Sequence, residues 1–273
     1  FGQRLTVTGQ NPLATAIELV PGHRLAWVTL EGDQETNVGT YQEAIVPSAA
    51  RIVDASGNDV TANYQIEASS YHAGDLIIKK KGGGPDPEKP GEELPMDVIA
   101  ANQTYVYNGQ PQGIFGADVE IDTANPLARA VGLIDGHRLK STSLIGTQQT
   151  LPRVYPNAIR PAQAVIVDRN GQDVTENYLL VADSYIAGTL TINKKGRPDP
   201  EKPGEDLPLE VTASDQTYVY NGRPQGIVGA NLINDPANPL ATGVELVPGH
   251  RIARVSISGN QQRTAGVYAD GLR

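Results

Sequence analysis

The chain contains no cysteine. Disulfides, thiolate metal sites and thiol nucleophiles are thereby excluded. Bulky apolar aromatics are nearly as scarce, with one Trp and two Phe, and there is a single Met. Any core must be built from Val, Ile, Leu and Tyr, a set that with frequent Thr and Gly favours strands and turns over helices. No 11-residue stretch carries a helical period of apolar residues. No apolar run approaches the roughly 18 residues of a membrane span, so this segment is not expected to insert. Positive charge is short as well: 22 Lys and Arg stand against 31 Asp and Glu, leaving a formal net charge of −9. That balance argues against a nucleic-acid backbone as partner. Also missing are a Gly-X-Ser-X-Gly elbow, a His-Glu-X-X-His pair and a phosphate-cradling glycine loop, so neither an enzyme nor a cofactor is expected.

What the chain has is repetition. Pro85-Asp86-Pro87-Glu88-Lys89-Pro90-Gly91-Glu92-Glu93-Leu94-Pro95 returns as Pro198-Asp199-Pro200-Glu201-Lys202-Pro203-Gly204-Glu205-Asp206-Leu207-Pro208, 113 residues on. Gly22-His23-Arg24 recurs at Gly136 and again at Gly249, and Asp59-Val60-Thr61 recurs at Asp173. A fixed long period marks an array of one module. The spacing divides the chain into a partial module at 1–81 that lacks its first strands, a Pro-rich linker at 82–93 and a complete module at 94–195. A second linker follows at 196–206, then a partial module at 207–273 that lacks its second half. Prolines fix φ and donate no hydrogen bond, so each linker is expected to run as solvated polyproline II. Eleven residues at about 3.1 Å each would make a stiff spacer of about 34 Å.

Inside a module the signals are for short strands. Thr104 to Tyr107 leads into Asn108-Gly109, and Thr217 to Tyr220 into Asn221-Gly222, a dipeptide that reads as a hairpin turn. Gly22, Gly136 and Gly249 mark a second turn. Asn177 to Ala182 reads as a strand, and Thr189 to Asn193 as a half-buried one with Leu190 and Ile192 on one face. Seven or so strands at this spacing predict an all-β, two-sheet sandwich.

Taken in order, Val-Tyr-Asn-Gly, Gly-His-Arg, Asp-X-X-Gly-X-Asp-Val-Thr-X-Asn-Tyr and Ala-Gly-X-Leu-X-Ile resemble the tandem Tyr-Asp-Gly-type (MBG family) repeats of large bacterial surface proteins. Tyr107-Asn108-Gly109 and Tyr220-Asn221-Gly222 stand where that family has Tyr-Asp-Gly. The resemblance implies tandem immunoglobulin-like β-sandwich modules, extracellular on a bacterial cell surface, used as an adhesin-like stalk with no catalytic residues.

Three groups of side chains invite a more specific role. Asp54, Asn58 and Asp59, and likewise Asp168, Asn170 and Asp173, make oxygen-rich loops that are candidate calcium ligands. The bidentate Glu of a calcium loop is missing, and such residues more often satisfy turn amides. Trp27, on the strand face opposite Val28 and Leu30, is a candidate contact for a glycan or a host protein. His23, His137 and His250 repeat, yet no second histidine accompanies any of them, so a turn-edge role is expected. Of eight lysines only Lys140 lies away from a linker, which leaves none at a repeated core position for an isopeptide bond. Three readings follow: a stalk whose partners are neighbouring repeats, a filament subunit completed by strands from other copies, and a glycan- or protein-binding module.

Overall fold

In the computed structural model, described over residues 3–9, 13–198, 201, 206–269 and 271–273, the β-branched segments form strands. Strand makes up 43% of the structure against 5% helix. The helical residues described are single 3-10 turns, so the fold is all-β. Among the described residues no helix is long and apolar enough to cross a membrane. Phe1, Gly2, Asp199, Pro200, Lys202, Pro203, Gly204 and Glu205 lie outside the described residues, and most of the second linker with them.

The chain divides into two compact units, residues 1–98, 130–140 and 164–185 in one and 99–129, 141–163 and 186–273 in the other. The first unit contains an antiparallel sheet in the order Gln3–Thr6, Arg24–Glu31, Gly39–Val53, Gly74–Ile78. Alternation buries Val28 and Leu30, and the next strand buries Ile52 and Val53 where they face Leu25 and Arg24. The 15-residue strand Gly39–Val53 changes partner midway, where Glu43 takes φ 54° and the register shifts. Asn157, at φ 54°, does the same in Arg153–Val167.

The second unit holds most of a five-stranded sheet in the order Gln103–Val106, Gly188–Asn193, Arg153–Val167, Arg138–Ile145, Gly116–Glu120, the first pair parallel. Leu144, Ile159, Leu190 and Ile192 are among its fully buried side chains. Hydroxyls share that interior and each is satisfied: Thr142 Oγ1 donates to Ala162 O at 2.7 Å, and Ser143 Oγ donates to Ala117 O. Two shorter ladders follow, Val211–Ala213 with Ala241–Gly243 and Gly229–Ile233 with Arg254–Ile257.

Three expectations are corrected. The first linker is not an extended spacer but a hairpin: Gly84–Pro85 pairs antiparallel with Glu93–Leu94, so its two feet adjoin. The donors it uses lie between the prolines. Asp86 N donates to Glu92 O, Lys89 N to Asp86 O, and Glu92 N to Lys89 O. The last of these closes a turn with Pro90 and Gly91 at its centre, and Gly91 has φ 87°, the left-handed value a type II turn demands. The feet of the second linker pair likewise, Arg197 with Leu207 and Pro198 with Asp206.

Asn108-Gly109 does not close a hairpin. Gly109 alone is left-handed, at φ 81°, while the Asn108 carboxamide oxygen accepts the Gln110 amide at 2.9 Å. That side-chain cap makes an Asx turn, and the strand before it pairs in parallel with Gly188–Asn193 instead. Nor does Asn177 to Ala182 form a strand. Asp173 Oδ1 accepts both the amide and the hydroxyl of Thr175, starting a 3-10 turn over Thr175–Asn177 that buries Tyr178.

Candidate functional site

The repeated histidine is a turn anchor. Val20-Pro21-Gly22-His23 closes with His23 N donating to Val20 O at 2.9 Å, and Ile134 to His137 and Val247 to His250 close the same way. Gly22, Gly136 and Gly249, at φ 88°, 87° and 83°, occupy the left-handed position of that turn. A tyrosine 41 residues later locks each of the first two. Tyr178 oxygen accepts the Ile134 amide at 3.2 Å and lies 2.6 Å from His137 Nδ1. Tyr64 oxygen accepts the Val20 amide at 3.0 Å and lies 2.7 Å from His23 Nδ1. In each pair the hydroxyl and Nδ1 share one hydrogen bond, its donor set by the imidazole tautomer.

A tyrosine-anchored turn sits beside the place where one repeat passes into the next, and within the first unit that junction is laddered. Lys81 N donates to Asn177 O at 2.9 Å, Leu179 N donates to Lys81 O at 2.8 Å, and Met96 N donates to Leu179 O at 2.9 Å. The chain thus enters and leaves the Pro-rich hairpin on the same three residues, Asn177 to Leu179. Asn177 also uses its side chain, with Oδ1 accepting Val38 N at 2.8 Å and Nδ2 donating to Asn37 Oδ1 at 3.1 Å. Met96 is fully buried. At the neck of the hairpin Glu93 Oε2 accepts the Gly82 amide and pairs with Lys81 Nζ at 3.1 Å. The Gly82 amide, seconded by Lys81, holds the Glu93 carboxyl below its usual range. Gly82 is obligatory there, since a Cβ would lie 2.1 Å from Leu94 O.

The second unit holds the counterpart. His250 lies against Tyr107, ring centroids 5.8 Å apart, and a Cβ on Gly109 would meet Val247 Cγ1 at 3.1 Å. The Tyr107-Asn108-Gly109 turn therefore packs on the Val247 to His250 turn. Tyr107, Lys194, Leu246 and His250 are among the walls of an open cleft of about 330 Å³ there. Asn221 and Gly222 repeat the Asx turn, with Asn221 Oδ1 accepting Arg223 N at 2.9 Å and Gly222 at φ 74°.

The acidic loops are turns in which each carboxylate accepts hydrogen bonds from its own loop. Asp54 Oδ1 accepts the Ser56 and Asn58 amides at 2.9 and 2.8 Å, and Oδ2 accepts Asn58 Nδ2 at 3.0 Å. Asp168 accepts the Asn170 and Gln172 amides in the same way. Asp59 accepts Thr61 and pairs with Arg51 at 3.1 Å, and Asp173 accepts Thr175. Each of the four carboxyls is held below its usual range by these bonds: the Asn58 side chain for Asp54, Thr61 for Asp59, the Gln172 amide for Asp168, and Thr175 for Asp173. Among the described residues no group of three or more His, Asp or Glu gathers as metal ligands.

Trp27 is half-buried, and the Arg4 guanidinium carbon lies 4.1 Å from its ring centroid. Its face is occupied by a cation–π contact from the neighbouring strand, where Trp27 pairs with Thr6. Its equivalents differ in setting, Ser141 being buried and Arg254 exposed. Sequence reasoning missed Asn37, Asn177 and Glu93; their partners lie far along the chain, and only the position of Lys81 and Glu93 on either side of the prolines hinted at a closed neck.

Comparison with protein-family models, with curated proteins and with solved structures finds no match to this chain.

Proposed function

We propose that this chain is a stretch of structural repeats from an extracellular bacterial surface protein, an adhesin-like stalk that presents a distal region away from the cell. Its modules are immunoglobulin-like β-sandwiches in tandem, their partners are the neighbouring repeats, and the role is non-enzymatic. The observation that carries this reading is the junction at Lys81. A repeat that hands over to the next through two main-chain hydrogen bonds at Lys81, with its Pro-rich segment folded aside as a hairpin, is built to resist bending rather than to swing. Reach then comes from stacked modules and not from spacers. A free linker of the same length would instead leave each joint flexible.

The test is protease shaving of intact producing cells, followed by mass measurement of the parent polypeptide. Peptides of this sequence released before lysis, from a chain carrying many copies of the 113-residue unit, support the stalk. Release only after lysis overturns it.

A further inference from the structure

The first Pro-rich hairpin lies in the main-chain path from one repeat to the next, and it holds more chain than the gap it bridges. Fifteen residue steps separate Lys81 from Met96, about 46 Å at the polyproline rise. Both ends are nonetheless bonded to one residue: Leu179 N donates to Lys81 O at 2.8 Å, and Leu179 O accepts from Met96 N at 2.9 Å. Tension along the chain therefore enters the second repeat at Asn177 to Leu179. While those bonds hold, the loop between Lys81 and Met96 carries none of it.

The two feet are unequal. Met96 is fully buried, so its foot is pinned by packing as well as by its bond. Lys81 is seated by two main-chain bonds, the second from Lys81 N to Asn177 O at 2.9 Å. Gly82, Gly83 and Gly84 follow it, so no apolar side chain reinforces that exit. The neighbouring pair of Lys80 with Glu176, at 3.4 Å, adds little, because the Glu176 side chain is 96% exposed and solvated. Under load the Lys81 foot is the one that yields.

Once that foot parts, the hairpin is pulled open from its neck. Its bonds stand one behind another: Glu93 on the Gly82 amide, Gly83 N to Leu94 O, then Asp86 N to Glu92 O. Drawn apart from the feet they break singly, and a two-stranded hairpin is marginal in water to begin with. The strands of the repeat resist differently. Gly188–Asn193 is bonded on both edges, to Arg153–Val167 and to Gln103–Val106, so a pull along it loads many bonds together. Pro85, Pro87, Pro90 and Pro95 fix φ and donate no main-chain bond, so the opened segment runs extended. The same neck recurs at the feet of the second linker. A Cβ on Gly196 would lie 2.4 Å from Leu207 O, as one on Gly82 would lie 2.1 Å from Leu94 O.

We propose that the hairpin is a reserve of length. Under tension the Lys81 foot lets go, the hairpin unzips, and the junction lengthens by about 40 Å while the strands on either side stay folded. The junction resists bending at rest and yields along the chain under load. When the load is removed, the turn re-forms from partners three residues apart, Glu92 N with Lys89 O, so the extension reverses. The inference goes beyond the proposed role and rests on the hairpin alone. A chain that gives no such lengthening loses this device and keeps that role, which the shaving of cells tests separately.

The test is single-molecule pulling on the full chain. Handles are attached by non-cysteine chemistry at Ser56 and Lys194, so that load spans the Lys81 junction and the folded segments beside it. A reversible gain of about 40 Å is expected before any larger unfolding event. Pro85 and Glu93 are partners across the hairpin and the chain has no cysteine, so Pro85→Cys with Glu93→Cys can staple it. Oxidised, the staple withholds the eight steps between those positions and shortens the gain by about 25 Å; reduction restores it. Larger unfolding with no earlier gain in the wild-type chain overturns the proposal, and so does a gain that the staple leaves unchanged.

Discussion

Tyr178 shows how one hydroxyl fixes a turn. Its ring is buried while its oxygen serves the Ile134 amide and His137. Tyr178→Phe keeps the packing but leaves that amide and Nδ1 without their partner. A loss of about 1–3 kcal/mol in denaturant unfolding is expected, with a smaller loss for Tyr64→Phe, where the half-exposed site admits water. The glycine of the same turn offers an independent check. Gly136 and Gly22 have nearly the same positive φ, so Ala at either site costs about 1–2 kcal/mol for the left-handed backbone. At Gly136 the new Cβ would also stand 2.0 Å from Arg169 Nε, whereas at Gly22 its nearest neighbour is 3.9 Å away. Any excess of Gly136→Ala over Gly22→Ala in paired melts therefore measures the displacement of Arg169. Equal costs would mean that Arg169 swings clear freely.

At the scale of the element, the worth of an edge strand is readable from one position in two settings. Leu190 is sealed beneath Gln103–Val106, while its counterpart Leu76 is half-buried and has no such cover among the described residues. Leu190→Ala is expected to cost about 2–5 kcal/mol and Leu76→Ala distinctly less, each followed in its own unfolding transition. The Pro-rich hairpin is checked by amide exchange: Gly83, Asp86 and Glu92 donate to main-chain carbonyls and should be protected, whereas a polyproline strand would exchange at unfolded rates. These two elements also mark what the sequence could and could not convey. Proline density reads as extended chain because local φ is all that it fixes. What folds the segment back is Glu93 meeting Gly82 and Lys81 eleven and twelve residues away, a non-local event no composition records. Asn108-Gly109 misleads for a similar reason, since the partner of the strand before it lies more than 80 residues on. The turn glycines and the alternation of Leu190 and Ile192 were legible because steric limits and the period of two are local rules. The candidate calcium loops were legible as turns for the same reason, their carboxylates accepting amides two to four residues along the chain.

For the whole molecule, charge and folding should separate on a pH axis. The formal net charge of −9 at pH 7 vanishes near the sequence pI of about 4.9, where self-repulsion is least and association between copies is most favoured. Stability behaves differently. Asp54, Asp59, Glu93, Asp168 and Asp173 all hold their carboxyls below the usual range through bonds made in the folded state. The unfolded chain, with carboxyls near 3.9 for Asp and 4.3 for Glu, therefore takes up protons first as the pH falls. Their contribution is complete above those values and is lost as pH drops through the lower folded ones. The thermal midpoint is accordingly expected to stay level from pH 8 to about 5 and to fall below about 4, while light scattering peaks near pH 5. Asp54→Asn with Asp168→Asn should flatten the acid limb and, by removing two negative charges, move the scattering maximum to slightly higher pH. A midpoint that begins to fall together with the rise in scattering would mean that these carboxylates are ordinary in the folded chain, and that loss of net charge alone governs both.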